Sequence, residues 1–310
     1  NCLINDDFIK IFNTYWHPHK SCVVVVNKVS RSIEIFNLLK EFLFQHNNVE
    51  LFYLSTNITP IERQNRVNKI KELLPTKICV LVSTQVVEAG VDLDFDLGFR
   101  DIGPIDSIVQ VAGRINRENS DERKGAPLYI VDFGDCVKIY GFATDIKARN
   151  SLNKEEIEER DYKSMVEAYF QDVSDQKITD FKYSKDIFNA MINLKYAFPA
   201  SSTKKNITVS DFKIIEESHH AVSIFIESID DSKGTKSREA YQLLLEGKMA
   251  KSEFDKNHKK SFNQRMIAVP NYFDKVKELE MEDKLSENIL GVIPEEFQYY
   301  YDESTGFRRE

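Results

Sequence analysis

The apolar positions of the first half fall into short unbroken runs, each followed by a stretch of helical period. Cys22–Val26 and Ile78–Val82 are apolar and largely β-branched throughout, the pattern of strands buried on both faces of a parallel sheet. Val49–Leu54 and Pro127–Asp132 are predicted as further strands. Between the first two strands, Ile33, Ile35, Phe36, Leu39 and Phe42 recur at helical spacing, and Ser30 is placed to cap a helix running to about Gln45. Pro60 opens the next helix at a position that tolerates proline, and this helix ends near Leu74, before Pro75. Asn5–Tyr15 is predicted as a helix. Ile105–Val111 is another, capped by Asp106 or by the segment around Gly103-Pro104. Asp135–Tyr140 is read as extending the edge of the same domain. Strands alternating with helices predict an α/β fold with a mostly parallel sheet, right-handed crossovers and helices on both faces.

The pattern changes near Lys147. Asn153–Arg160 is a charge run, and Met165, Val166 and Tyr169 mark one face of a following helix, so Ala143–Gln171 reads as a helical connection. Beyond it, Gln176–Ala197 is helical in part. Phe212–Ser218 and Ala221–Ile229 are predicted as strands around a turn at His219-His220. Ser237–Glu246 is read as a helix, Phe262–Val269 as a strand, Tyr272–Leu279 as a short helix and Asp302–Gly306 as a turn. The domains expected are therefore 1–145, a helical linker 146–175, and a smaller α+β domain 176–310.

Composition narrows the class. A chain of 310 residues with 42% apolar and 30% charged positions is globular, and no apolar run approaches the length that spans a membrane. The N-terminus has no secretory pattern. Cys2, Cys22, Cys79 and Cys136 form no CxxC, and two of them lie inside apolar strands. They read as core residues of a reducing compartment, which makes a cytoplasmic location the expectation. His17 and His19 have no third ligand nearby and read as loop residues. A net charge of −8 weighs against a wholly basic nucleic-acid binder but leaves room for a local basic groove.

The chemistry concentrates between Val80 and Arg117. A strand leads to Ser83-Thr84-Gln85, a turn ends at Gly90, and a second apolar run precedes Gln110, Gly113, Arg114 and Arg117. Gln110, Arg114 and Arg117 are spaced four and three apart. If the helix or its continuing turn persists, all three project to one side. Two guanidiniums and an amide at one point suit a triphosphate, because arginine pairs bidentately with phosphate oxygens.

The string STQVVEAGVDLDFD, followed by RDIGPIDSIVQVAGRINRE, resembles motifs V and VI of superfamily 2 helicases. In detail it is similar to the second RecA-like lobe of the CRISPR-associated helicase of type I interference systems. The resemblance implies a RecA-like lobe over 1–145, with motif IV at Asn27 and Lys28. It implies ATP contacts from Gly90, Asp92, Gln110, Arg114 and Arg117, the last three taking catalytic roles. Arg114 and Arg117 would act on the γ-phosphate and Gln110 near the attacking water. It implies DNA contacts from Asn27, Lys28, Ser55, Ser83, Thr84 and Gln85, with Arg63 in the proline–x–x–arginine that follows the Ser55 loop. That loop begins Leu54-Ser55-Thr56, where the family commonly has histidine-serine-arginine. Arg63 and Arg66 are open to a second reading as solvated helix residues.

No GxxxxGK[ST], no strand-terminal DExH and no histidine-aspartate dipeptide occurs. Gly234-Thr-Lys236-Ser237 and Gly247-Lys248 lack the spacing of a phosphate cradle. The P-loop and the Mg²⁺ ligands are accordingly expected on a first RecA-like lobe outside this chain. The partners implied are that lobe, a nuclease domain where one is attached, single-stranded DNA gripped by its backbone and an RNA-guided surveillance complex. Translocation 3′→5′ is implied by the resemblance alone. Two other classes remain open: the lobe of another superfamily 2 DNA or RNA helicase, and a non-catalytic nucleic-acid or protein adaptor. Gln110 at the start of motif VI disfavours a DEAD-box enzyme, and the Arg114/Arg117 pair disfavours the adaptor.

Overall fold

The computed structural model describes residues 3, 5–88, 90–152, 156–175, 180–197, 207–212, 221–228, 231–282 and 284–309. It divides into two compact units, one formed by Asn1–Asn153 together with His220–Glu310, the other by Lys154–His219.

The first unit begins α1 (Asn5–Tyr15), β1 (Cys22–Val25), α2 (Val29–Leu43), β2 (Val49–Leu54), α3 (Pro60–Leu73) and β3 (Ile78–Ser83). It continues β4 (Leu97–Asp101), α4 (Ile105–Ala112), β5 (Leu128–Val131), α5 (Cys136–Tyr140) and α6 (Phe142–Ser151). Among the described residues these strands form a five-stranded sheet in the order β2-β3-β1-β4-β5, parallel throughout. The chain moves one way from β1 to β2 and the other way from β2 to β3 and from β4 to β5. With right-handed crossovers, that reversal puts α2 on one face and α3 and α4 on the other. Side-chain alternation agrees. Tyr53, Val82, Val24, Phe99 and Tyr129 share one row of the register, on which Ser32 and Phe36 of α2 and Phe8 and Phe12 of α1 pack. Phe52 belongs to the next row and faces Lys69 of α3. All of β1 is buried, each valine contributing roughly 1.5–3 kcal/mol by leaving water.

The expected α/β class therefore holds, and several local readings change. The second apolar run supplies β4, a fifth strand where four had been predicted. Lys28, not Ser30, occupies the N-cap of α2, and Ser30 lies within the helix. Of the two caps offered for α4, the Gly103-Pro104 segment holds, with Pro104 as N-cap and Asp106 in the first turn. The segment read as an edge at Asp135–Tyr140 is largely the helix α5. Pro60 does open α3, with Thr59 as the cap.

The second unit carries α7 (Tyr162–Asp175) and α8 (Asp180–Ile192). Its Thr208–Asp211 turn is closed by a capping box and is tied to Lys195 and Tyr196 by backbone bonds of 3.0 and 2.9 Å. The strand predicted at Phe212–Ser218 and the His219-His220 turn lie largely or wholly outside the described residues.

The first unit then resumes with β6 (Ala221–Ile226), α9 (Ser232–Leu245), α10 (Lys251–Asn257), α11 (Lys259–Asn263) and β7 (Met266–Pro270). It ends with α12 (Asp274–Glu282), β8 (Lys284–Ser286), β9 (Ile289–Val292), α13 (Phe297–Tyr300), β10 (Tyr301–Asp302) and β11 (Gly306–Phe307). The strand predicted from Phe262 starts only at Met266, because Phe262 belongs to α11 and stacks at 4.7 Å on Phe225. Strands β6 to β9 form a smaller mixed sheet, β7-β6-β9-β8, and β10 pairs with β11 as a short hairpin. Val292, Tyr300, Tyr301 and Phe307 join the same apolar core as the large parallel sheet.

Candidate nucleotide and nucleic-acid edge

The carboxyl ends of the parallel strands meet along one edge, where an open α/β sheet ordinarily takes its ligand. Polar groups are buried there. Asn27 follows β1, Ser55 follows β2, Ser83 and Thr84 end β3, and Arg100 and Asp101 end β4. Arg100 is 0% exposed and organises them. Its Nη1 donates to Asn27 Oδ1 at 2.7 Å; its Nη2 donates to Ser107 Oγ at 2.7 Å and to Glu88 Oε1 at 3.1 Å. Ser107 Oγ also donates to Glu88 at 2.7 Å, while Arg100 Nε finds no acceptor. Asn27 Nδ2 donates to the Ile102 carbonyl at 2.7 Å, and Gln85 Nε2 donates to the Asn27 carbonyl and to Tyr140 Oη. One buried cation thus ties the ends of β1 and β4, the loop after β3 and the start of α4 into a single network.

The residues expected at the nucleotide lie at the far end of that loop. Gly90 has φ +73, a left-handed conformation that glycine adopts without cost. The α4 helix stops at Ala112, where Gly113 caps it and Ile115 bridges to Phe95. Gln110, Arg114 and Arg117 therefore do not share one helix face. The turn nevertheless brings the two arginines to the loop. Arg114 Nε and Nη2 donate to the carbonyls of Val87 and Glu88 at 3.2 and 2.7 Å. Arg117 Nη1 pairs with Asp92 at 2.9 Å, and its backbone N–H donates to Asp94 at 2.8 Å. Arg117 and Asp92 keep side-chain exposures of 43% and 70%, so this pair is exchangeable. Burial, with Arg117 beside it, lowers the pKa of Arg114, and Asp92 opposes that shift. Gln110 stands exposed on α4.

The residues expected at DNA line the same edge, and most of their side chains turn inward. Asn27, Ser55, Ser83 and Thr84 are buried. Ser83 Oγ donates to the Thr84 carbonyl, and Ser55 Oγ accepts from Asn57 N–H. Lys28, partly exposed, lies 3.6 Å from Asp135. Arg63 is a carbonyl clamp rather than a solvated residue: its Nη1 donates to Ser55 O and Ile58 O, both at 3.2 Å. Arg66 likewise donates to the carbonyls of Tyr53 and Ser304. His17 and His19 stack on each other at 5.7 Å in an exposed turn. Among the described residues no group of three His, Cys, Asp or Glu side chains could hold a metal ion.

With that geometry in place, comparison assigns the lobe. Residues 18–120 match the family model described as "CRISPR-associated nuclease/helicase Cas3, C-terminal". Over these residues the chain is similar to the Cas3-like C-terminal family. A curated relative from Methanothermobacter thermautotrophicus, a CRISPR-associated nuclease/helicase Cas3, is 26% identical over 201 residues, which are 62% of this chain and 23% of the relative. The T. fusca Cas3-AMPPNP crystal structure shares the fold with a TM-score of 0.63 at 14% identity, over 98% of this chain and 39% of that one. A structure of a CRISPR RNA-guided surveillance complex, pre-nicking, contains a chain with a TM-score of 0.56 at 14% identity, over 92% of this chain and 39% of that one. The chain described here thus spans under a quarter of that curated relative and about two fifths of these solved chains.

Sequence reading of the Cas3-like lobe missed Arg100, Glu88, Ser107 and Asp101. The available signal was an arginine-aspartate pair ending an otherwise apolar run, since a charge inside a buried parallel strand requires a partner. Burial pushes the Asp101 carboxyl up to about 6, against the opposing pull of the Phe133 N–H, Arg100 and the Asn27 N–H. Its folded-state pKa thus exceeds its ordinary 3.8, so its contribution to stability is full below 3.8 and is lost as pH rises through about 6. Burial raises the Glu88 carboxyl in the same direction. Thermal unfolding from pH 4.5 to 7.5 should show wild type gaining on Asp101→Asn as pH falls, by on the order of 2 kcal/mol across the range. A pH-independent difference would mean that Asp101 titrates normally.

Among the described residues the cysteines carry no chemistry at this edge. Cys22, Cys79 and Cys136 are buried and free, and burial pushes Cys79 up to about 11 and Cys136 up to about 12.

Proposed function

We propose that this chain is the C-terminal half of an ATP-dependent single-stranded DNA translocase acting in type I CRISPR interference, and that it supplies the arginine side of the nucleotide cleft. The observation that carries the reading is the convergence of Arg114 and Arg117 on the loop of Gly90 and Asp92, at the carboxyl edge of a parallel sheet. Arg114 is anchored through two nitrogens, which leaves Nη1 to meet a phosphate oxygen. Arg117, held by an exposed carboxylate, exchanges Asp92 for phosphate when a facing lobe closes. Gln110, on the solvent side of α4, orients toward the attacking water. The donor set is cationic and fits a triphosphate, while Mg²⁺ would be held by carboxylates on the first lobe.

Because the DNA-side residues bury their side chains, the grip falls to main-chain groups around Asn27, Thr84 and Gln85, to Lys28 at the rim and to the outer surface of the Ser55 loop. Contacts to backbone phosphate carry no base information, which a translocase on arbitrary sequence requires. The solved surveillance-complex relative supports recruitment by an RNA-guided complex, with single-stranded DNA, a first RecA-like lobe and a nuclease domain as further partners. The cytoplasm is the expected site of action.

The test is phosphate release by this chain alone, with saturating single-stranded DNA. With half a cleft, release should match a protein-free control. A turnover above about 1 s⁻¹, the lower range for phosphoryl-transfer enzymes, would overturn the half-site reading.

A further inference from the structure

The loop 55–59 after β2 is held from behind by a segment about 250 residues away in sequence. Asn57 is 1% exposed, and its side chain is spent on the C-terminal hairpin. Asn57 Nδ2 donates to the carbonyls of Thr305 and Phe307, both at 2.8 Å, and Oδ1 accepts from Arg309 Nε at 2.9 Å. The Asn57 carbonyl accepts from Phe307 N–H at 3.0 Å, and Tyr301 Oη accepts from Thr59 N–H at 3.1 Å while donating to Glu62. Gly306, at φ +89, runs so close that a Cβ would collide with the Asn57 backbone. A second strut joins the start of α3, where Ile61 N–H donates to the Gln264 carbonyl at 3.0 Å.

From the inner side Arg63 clamps the carbonyls of Ser55 and Ile58. Ser55, Asn57, Ile58 and Thr59 are all buried, and within 55–59 Thr56 alone is exposed. A loop fixed on both sides loses little further entropy on binding, so a hydroxyl at its tip is preorganised.

We propose that the β10–β11 hairpin is the rear support of this loop, and that Thr56 is the residue the support presents to a nucleic-acid phosphate. The proposal deepens the translocase reading and rests on it. A threonine hydroxyl donates to phosphate oxygen and reads no base, which matches a grip that moves along any sequence. Thr56 is then the contact residue, and Asn57 and Gly306 are positioning residues acting through the loop.

The experiment uses the complete motor with both lobes, with fluorescence anisotropy on several unrelated single-stranded DNA sequences. Hydrogen exchange at the Phe307 amide reports whether the hairpin stays docked. Thr56→Ala should weaken Kd about tenfold on every sequence, the size of one hydrogen bond to a charged acceptor, with the Phe307 amide still protected. Asn57→Ala and Gly306→Val should speed that exchange and weaken Kd by about tenfold or more, while kcat at saturating DNA and the nucleotide KM stay within about twofold. If those two fail to fold, Arg309→Leu decides, since it removes one bond to the loop, with the Arg309 contact over the Phe273 ring, and its Kd should shift in step with exchange. A wild-type Kd in Thr56→Ala, or a released hairpin with wild-type Kd, overturns the proposal. A fall in kcat with Kd unchanged does so too. A wild-type motor that binds no single-stranded DNA overturns the translocase reading itself and takes this support with it.

Discussion

Replacing Arg117 by Lys in the complete motor should lower DNA-stimulated kcat by roughly a hundredfold or more, arginine fingers being worth about 10³–10⁵. The substitution keeps the charge and removes the planar fork, so it tests geometry. Arg117 is exposed and pairs with an exposed carboxylate, so the thermal midpoint should not move. Arg114→Lys should show a comparable kinetic loss together with a second effect. Its guanidinium bridges the Val87 and Glu88 carbonyls, and losing that bridge should cost about 1 kcal/mol of stability. Nucleotide affinity should change much less than kcat in both variants, because groups that act on the transition state contribute little to ground-state binding. Steady-state kcat and KM with thermal melts separate these effects. Near-wild-type kcat in both variants would show solvated surface arginines and overturn the assignment.

The largest expected change in stability comes from Arg100→Met. Arg100 is fully buried, and the substitution strips the donors from Asn27, Ser107 and Glu88 together. Removing one partner of a buried ion pair leaves an uncompensated charge, a loss of about 3–5 kcal/mol. For a unit of this size that is on the order of a 10 °C fall in thermal midpoint. Glu88→Gln alone should cost less, because the amide keeps an acceptor for Ser107 and Arg100. Combining Arg100→Met with Glu88→Gln should recover part of the loss, since the stranded carboxylate is then gone. Urea unfolding of the three variants gives the coupling directly. A loss under about 1 kcal/mol in Arg100→Met would mean that Glu88 escapes to water at little cost.

Arg100 also marks how far local pattern reaches. A continuous β-branched run needs only its own residues to declare a strand buried on both faces, so Cys22–Val25 and Ile78–Ser83 were legible, as was the helix Asn5–Tyr15. Pro60 at the first turn of α3 was legible for the same reason: proline constrains its own φ and has no N–H to bond. The spacing of Gly90, Asp92, Arg114 and Arg117 carried the family resemblance, because a motif confined to a short stretch keeps its residue types in sequence order. Caps were less legible. Ser30 is an eligible cap, yet the geometry of the β1 exit puts the cap two residues earlier, at Lys28, so that α2 starts at Val29.

By itself the sequence determined most of the strands and helices of the parallel-sheet lobe and the motif strings on which its family resemblance rests. These depend on each residue and its neighbours within a turn or a pleat. The tertiary structure alone decided the strand order β2-β3-β1-β4-β5 and the end of α4 at Ala112, where the bridge from Phe95 to Ile115 turns the chain. It also decided that Arg63 and Arg66 spend their guanidiniums on carbonyls, and that Asn57 meets Phe307 across 250 residues. Contacts so distant in sequence leave no period to read. They form only when a long loop closes, and what selects them is the need of each buried polar group for a partner in the finished fold.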